Sequence, residues 1–267
     1  VESLQMLLGH HSPATWVMIL IAVIAGGIVR GLTGFGAALL MAPLFSLVMS
    51  ARDTMCLITV LSLFPLSPSS MRLANDEMDA SVVWPLTLAA TVALAPGVWL
   101  GSWVPGELFG PVIGAAVMAS ALVLMSGVRL PNIRSRLSSS VVGLLSGLLT
   151  GFSGVGGPPA ILYLMGIEPN SYRARANFVI FFAVLYPVSC VLLVLTGVMP
   201  FSILIAGIAL FPLFHIGGWV GVKMYQRISR HFLRRIVLIL LLLAGGIAGI
   251  PFMYKLIVLI DVKIWPT

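Results

Sequence analysis

The sequence predicts an all-α polytopic membrane protein. It consists of two inverted repeats, each with a glycine-rich broken or re-entrant helix pair plus three spanning helices. Three observations carry this. The chain of 267 residues is 60% hydrophobic and only 9% charged, where a soluble domain carries roughly a quarter charged residues. A glycine-dense run occurs twice, at 27–43 (GIVRGLTGFGAALLMAP) and at 143–159 (GLLSGLLTGFSGVGGPP). Other short echoes recur in the same order, so the whole chain reads as an internal duplication.

The echoes align as follows. Gly27 and Gly31 match Gly143 and Gly147, and Thr33-Gly34-Phe35 matches Thr150-Gly151-Phe152. Leu63-Phe64-Pro65-Leu66-Ser67 recurs as Leu185-Tyr186-Pro187-Val188-Ser189, and the Gly97 to Gly101 motif recurs at Gly217 to Gly221. On this basis 1–13 is an exposed N-terminal tail, 14–128 the first transmembrane repeat, 129–136 a basic cytoplasmic linker and 137–267 the second repeat. The tail has neither a basic n-region nor a cleavage site, so no signal peptide is expected.

Taken in order, apolar segments cover 14–33, 37–50, 54–71, 82–104 and 107–128, with a polar loop at 72–79. The second half repeats the series at 137–150, 158–167, 177–196, 200–225 and 231–260, with a loop at 168–175. Crossing a hydrocarbon core takes about twenty helical residues. Residues 158–167 supply only about 15 Å of helix, so 137–167 reads as a re-entrant hairpin. The equivalent 14–50 is longer, and a hairpin and two full spans both fit it. Dense glycine and proline cannot continue a regular helix. At membrane depth such a break is tolerated only inside protein or beside a water-filled cavity.

The net charge of +7 is not a nucleic-acid signal, because the basic residues lie in short loops between apolar spans. Placing Arg72, the linker, Arg173 to Arg175 and the 226–235 cluster on one face satisfies the positive-inside rule. Both termini then lie outside the cytoplasm. Each half has odd parity, so the halves are inverted, as in many secondary transporters. Cys56 and Cys190 fall in apolar segments and read as reduced core residues, with no disulfide or metal spacing. No cofactor is implied.

The chemistry concentrates at the two breaks. A helix starts after each, near Ala37 and near Pro158, and a helix start with bare N–H groups attracts anions. Gly34, Phe35 and Gly36 form the first tip; Gly151, Gly154, Gly156 and Gly157 form the second. Thr33, Thr150 and Ser153 add hydroxyl donors. Arg30 sits one turn before the first tip in an apolar segment, and no Asp or Glu lies inside any span to pair with it. It either meets an anionic substrate or snorkels to backbone carbonyls. Arg175 and Asn177 either contact that substrate or cap a helix. Tyr186 and Ser189 flank Pro187, and line a cavity or mark a plain kink. His215 is the proton-coupling candidate, against a hydrogen-bonded core histidine.

At these residues the chain resembles the TauE/SafE family of bacterial sulfite and organosulfonate transporters. The resemblance lies in the duplicated glycine run, in G-x-G-G-P-P at Gly154 to Pro159 and in Arg173-Ala174-Arg175-Ala176. The first copy departs from the pattern at Ala37-Ala38. The resemblance implies a multi-pass protein of the bacterial inner membrane whose partners are lipid and a small anionic sulfur substrate. Two rivals remain: an intramembrane serine protease like the rhomboids, using Ser153 and His215, and a passive anion channel.

The topology is directly testable. A cysteine at Asn132 should react with impermeant reagents only from the cytoplasmic side, and one at Gly106 only from outside. Labelling of both from one face breaks the inverted reading.

Overall fold

The computed structural model describes residues 13–63, 68–103, 134–168 and 171–225. These form helices α1 (Pro13–Thr33), α2 (Ala37–Phe45), α3 (Ala51–Leu61), α4 (Pro68–Glu77), α5 (Ala80–Trp103), α6 (Arg136–Ser153), α7 (Gly157–Ile167), α8 (Ser171–Leu195) and α9 (Phe201–Tyr225). No strand occurs among the described residues. The expected spans at 107–128 and 231–260 lie outside them, as do Phe64 and Ser67.

Four helices are long and apolar enough to cross a membrane: α1, α5, α8 and α9. Their outward faces are apolar, with Val92 71% exposed and Trp84, Leu88 and Ile208 also bare. A patch of this size suits lipid rather than water. With nine residues, α2 reaches roughly 14 Å, so 14–50 does not form two full spans. The expected helix over 54–71 is also divided. α3 ends at Leu61 and α4 starts at Pro68, running through the polar stretch expected to be a loop. Proline suits the first turn of a helix and not its interior, which explains the new start at Pro68.

Two seams organise the bundle. α1 lies along α9, and α5 along α6, each pair touching backbone to backbone. A β-carbon on Gly27 would strike the Phe214 carbonyl, and one on Gly31 the Gly218 carbonyl. On the other seam Gly143, Gly147 and Gly151 face the carbonyls of Leu86, Ala90 and Leu94. Numbers rise together on both helices, so each pair is parallel. Small residues at every fourth position allow this approach, and Cα–H groups then meet carbonyl oxygens.

The seams also correct the register of the echoes. Gly221 faces the Ile28 carbonyl and Gly31 Cα; Gly97 faces the Leu148 carbonyl and Gly151 Cα. Gly31 therefore corresponds to Gly151, and Gly97 to Gly221, one helical turn further than the sequence alignment. The breaks agree. Gly34 (φ 83) and Gly154 (φ 71) are both left-handed, a conformation that favours glycine. Each is bracketed by a hydroxyl that accepts from the backbone two residues on: Phe35 N–H to Thr33 Oγ1 at 3.1 Å, Val155 N–H to Ser153 Oγ at 3.3 Å. Thr33 thus matches Ser153, not Thr150.

The remaining helices fix the direction of the pairs. Cys56 meets Val198, and Val60 lies against Gly207, so α3 runs with α9. Asn177 meets Asp79, and Ile180 clusters with Val83, so α8 runs with α5. Arg52 bonds the carbonyls of Gly197 and Val198 beyond the end of α8, both at 2.8 Å. Ser62, at the other end of α3, lies near Phe182 and Tyr186. So α3 and α8 are antiparallel. At the far end, Arg134 bridges Asp79 (2.7 Å) and Glu168 (3.1 Å), tying the start of α5 to the end of α7. Burial acts to raise the Asp79 carboxyl. Hydrogen bonds from Ser81 and the charge of Arg134 outweigh it and hold the group below the usual carboxylate range.

The seams should be the least tolerant positions. Gly147→Val drives a side chain into the Ala90 backbone and should cost about 3 kcal/mol or more. Gly197→Ala, at φ 68 with nothing within 4 Å, should cost only the left-handed strain of about 1–2 kcal/mol. Melting midpoints of the two purified variants in detergent decide it; equal losses would refute the seam.

Candidate functional site

The site is built where α1 ends. Arg30 lies in its last turn and is only 7% exposed. Its Nη2 donates to the Ser62 carbonyl at 3.2 Å, capping the end of α3. The rings of Tyr186 and Phe214 flank the guanidinium at 5.9 and 5.8 Å. Nη1 is buried and has no hydrogen-bond partner. Among the described residues Arg30 makes no ion pair. An uncompensated buried cation is costly, and a ligand anion is the natural counter-charge.

α2 starts beside it. Gly36 (φ 86) is its N-cap and supplies no side-chain cap. The first-turn amides at Ala37, Ala38 and Leu39 have no acceptor within the helix, and those residues are buried. A cavity of about 20 Å³ lies at this point, lined by Arg30, residues 34–38, Ser62, Phe182 and Tyr186. That is room for about one water. Cation and helix start therefore share one small cavity, where both favour negative charge.

The second tip has a different character. Thr150 donates to the Ser146 carbonyl (2.7 Å) and Ser153 to the Leu149 carbonyl (2.8 Å), so both hydroxyls serve the backbone. Thr33 does the same at the first tip, donating to Val29 at 2.9 Å. Gly156 folds back onto Thr150 and Ser146. α7 then starts at Gly157, and Pro158 and Pro159 follow it; neither has an N–H. In the corrected register Thr150 stands where the first tip has Arg30. Met55 lies against Gly154 where Arg175 lies against Gly34. The second tip thus has neither cation nor a full set of donors.

Nor are the tips set end to end. Gly34 packs on Arg175, near the start of α8. Gly154 packs on Met55, beside Cys56, whose thiol meets Val198 past the end of α8. Phe182 stands between: it lines the first-tip cavity, and its Cζ lies 3.4 Å from where a Gly157 β-carbon would sit.

Of the other sequence candidates, Tyr186 lines the cavity. Arg175 donates to the Gly31 carbonyl at 2.7 Å and lies over the Tyr225 ring at 4.5 Å, holding the end of α1. Asn177 is buried and its Oδ1 accepts from the Asp79 N–H at 2.8 Å, just ahead of α5. Ser189 is buried on α8 without lining the cavity. His215 sets Nδ1 3.0 Å from the Phe211 carbonyl and packs on that ring at 3.9 Å, away from the cavity. Sequence reasoning missed Phe182 and Ser62. Phe182 was detectable as the residue one turn before Tyr186.

Of the residues of the protease rival, Ser153 ends α6 and donates to the Leu149 carbonyl, while His215 lies on α9, which packs on α1 and α3, with its Nδ1 at the Phe211 carbonyl.

A family model described as Sulfite exporter TauE/SafE matches residues 18–247, a stretch that includes both tips and nearly all of the described helices. No curated protein and no solved structure matches the chain.

Because the Ser153 hydroxyl is committed to the backbone, a fluorophosphonate probe should leave the protein unlabelled. Ser153→Ala should lose about 1 kcal/mol of stability and keep anion binding. Labelling that disappears in Ser153→Ala would restore the hydrolase reading.

Proposed function

The chain belongs to the sulfite exporter TauE/SafE family, and on that premise we propose that it is a secondary carrier for a small sulfur oxyanion or organosulfonate. The anion sits between Arg30 and the amides at the start of α2. The observation that carries this is the buried, unpartnered Nη1 of Arg30 in the cavity at that helix start. Arg175, holding the end of α1, supports the site rather than forming a second one. A cavity of about 20 Å³ suits an occluded stage of a carrier better than a standing pore.

The helix directions support two inverted halves. α1, α3 and α9 run one way, and α5, α6 and α8 run the other, so the first helices of the two halves, α1 and α6, enter from opposite faces. The short α2 and α7 then return as the second arms of re-entrant pairs. The cluster of Arg134, Arg173, Asp79 and Glu168 marks the cytoplasmic end by the positive-inside rule. Both termini lie outside, in a bacterial inner membrane.

Arg30 separates binding from packing. A charge-assisted hydrogen bond contributes about 1.5–3 kcal/mol, so Arg30→Gln should weaken sulfite binding by roughly tenfold to a hundredfold with folding largely kept. Arg30→Lys should retain part of the affinity, because the charge survives without the planar fork. Arg30→Glu should be worst. Calorimetry on the purified variants, alongside their melting midpoints, measures this. Unchanged affinity in Arg30→Gln would sink the site.

A further inference from the structure

We propose that Phe182 is the size-determining wall of the anion site, the side chain that limits which substituent a bound sulfur anion carries. This rests on the Arg30 site and adds to it a residue that recognises the uncharged part of the ligand.

The argument begins with space. The cavity holds about one water, and any sulfur oxyanion with three oxygens is larger. Some wall must therefore yield when the anion binds. Most walls are fixed. Residues 34–38 present mainly backbone, pinned by the left-handed glycines and the Thr33 hydroxyl. Ser62 offers a carbonyl already bonded to Arg30. Phe35 packs on Phe178 with ring centroids 4.8 Å apart, and Tyr186 lies beside the guanidinium.

Phe182 differs from these. Its ring has the cavity on one side and a glycine on the other. An added β-carbon at Gly157 would lie 3.4 Å from the ring Cζ and 3.1 Å from Ile161 Cδ1, so the glycine spares the ring the crowding of one carbon on that side. Phe182 stacks on Tyr186 (5.5 Å, 23°) and meets Phe181 edge-on (4.9 Å), so its motion is guided along an aromatic surface. The helix under it is softened. Pro187 lies inside α8 and removes the hydrogen bond to the carbonyl of Ala183, next to Phe182. With the anionic oxygens on Arg30 and the α2 amides, the group bonded to sulfur faces this ring. A bare oxyanion needs the smallest displacement, and each added methylene needs more.

The test is the affinity series of sulfite, methanesulfonate, ethanesulfonate and propanesulfonate, measured by calorimetry on the purified full chain. Wild type should bind progressively less tightly along the sulfonates. One methylene in an apolar pocket discriminates by roughly tenfold or more, so Phe182→Ala should raise the propanesulfonate-to-methanesulfonate affinity ratio by about that factor. Phe182→Leu, which disturbs packing less, should move it in the same direction. Gly157→Ala adds that one carbon behind the ring and should steepen the preference for small anions. A ratio unchanged in both Phe182 variants, while they bind sulfite and Arg30→Gln binds it more weakly than wild type, overturns the role of Phe182 and leaves the Arg30 site standing. Failure of wild type to bind any of the four overturns both.

Discussion

At Gly31 and Gly147 there is no room for a β-carbon, because the carbonyl of the facing helix occupies the place. In a membrane, apolar surface alone does not bring helices together, since lipid is as apolar as a protein core; close packing of small residues does. The α1–α9 seam thus fixes more than two helices. Gly31 is locked against Gly218 three residues before the break at Gly34. Arg30 is its immediate neighbour. The level of the cation, the level of the break and the start of α2 all follow from where the two backbones touch.

That placement gives the molecule an unequal electrostatic design on a repeated frame. Both tips use a hydroxyl, a left-handed glycine and a short returning helix. Only the first adds charge, through Arg30 and Arg175, and only the first keeps its early amides. At the second, two prolines replace donors, and Thr150 and Met55 occupy the positions of the arginines. A helix start is a weak anion site by itself; the proposed site adds to it a buried guanidinium whose Nη1 lacks a partner. The duplicated motif is therefore a shared way of breaking a helix, and the charge is an addition to one copy.

Much of this was legible in the sequence. The four spans described here are long apolar runs, and both breaks announce themselves through clustered glycine. Arg30 stood out because nothing else in its span is charged. The register of the repeat was not legible. Glycines at Gly143, Gly147 and Gly151 lie on one helix face at four-residue spacing, so a shift of one turn leaves the pattern intact, and only the facing carbonyls choose among them. The division of 54–71 into α3 and α4 was hidden by a continuous apolar stretch containing two prolines. The wall formed by Phe182 was hidden because a buried phenylalanine on an apolar helix reads as ordinary packing. Its proximity to Gly157 is a tertiary fact.

The two seams each join the first half of the chain to the second. Gly27 meets Phe214, and Leu86 meets Gly143. Neither half can close its own glycine face. During synthesis α1 must therefore wait, flanked by lipid, until α9 has been made, and α5 must wait for α6. Contacts this distant in sequence slow folding, and emerging proteins generally fold from the N-terminus in independent units. Here the unit is nearly the entire described chain. A chain interrupted between the halves leaves the close-contact faces of α1 and α5 without the backbones that cover them in the structure.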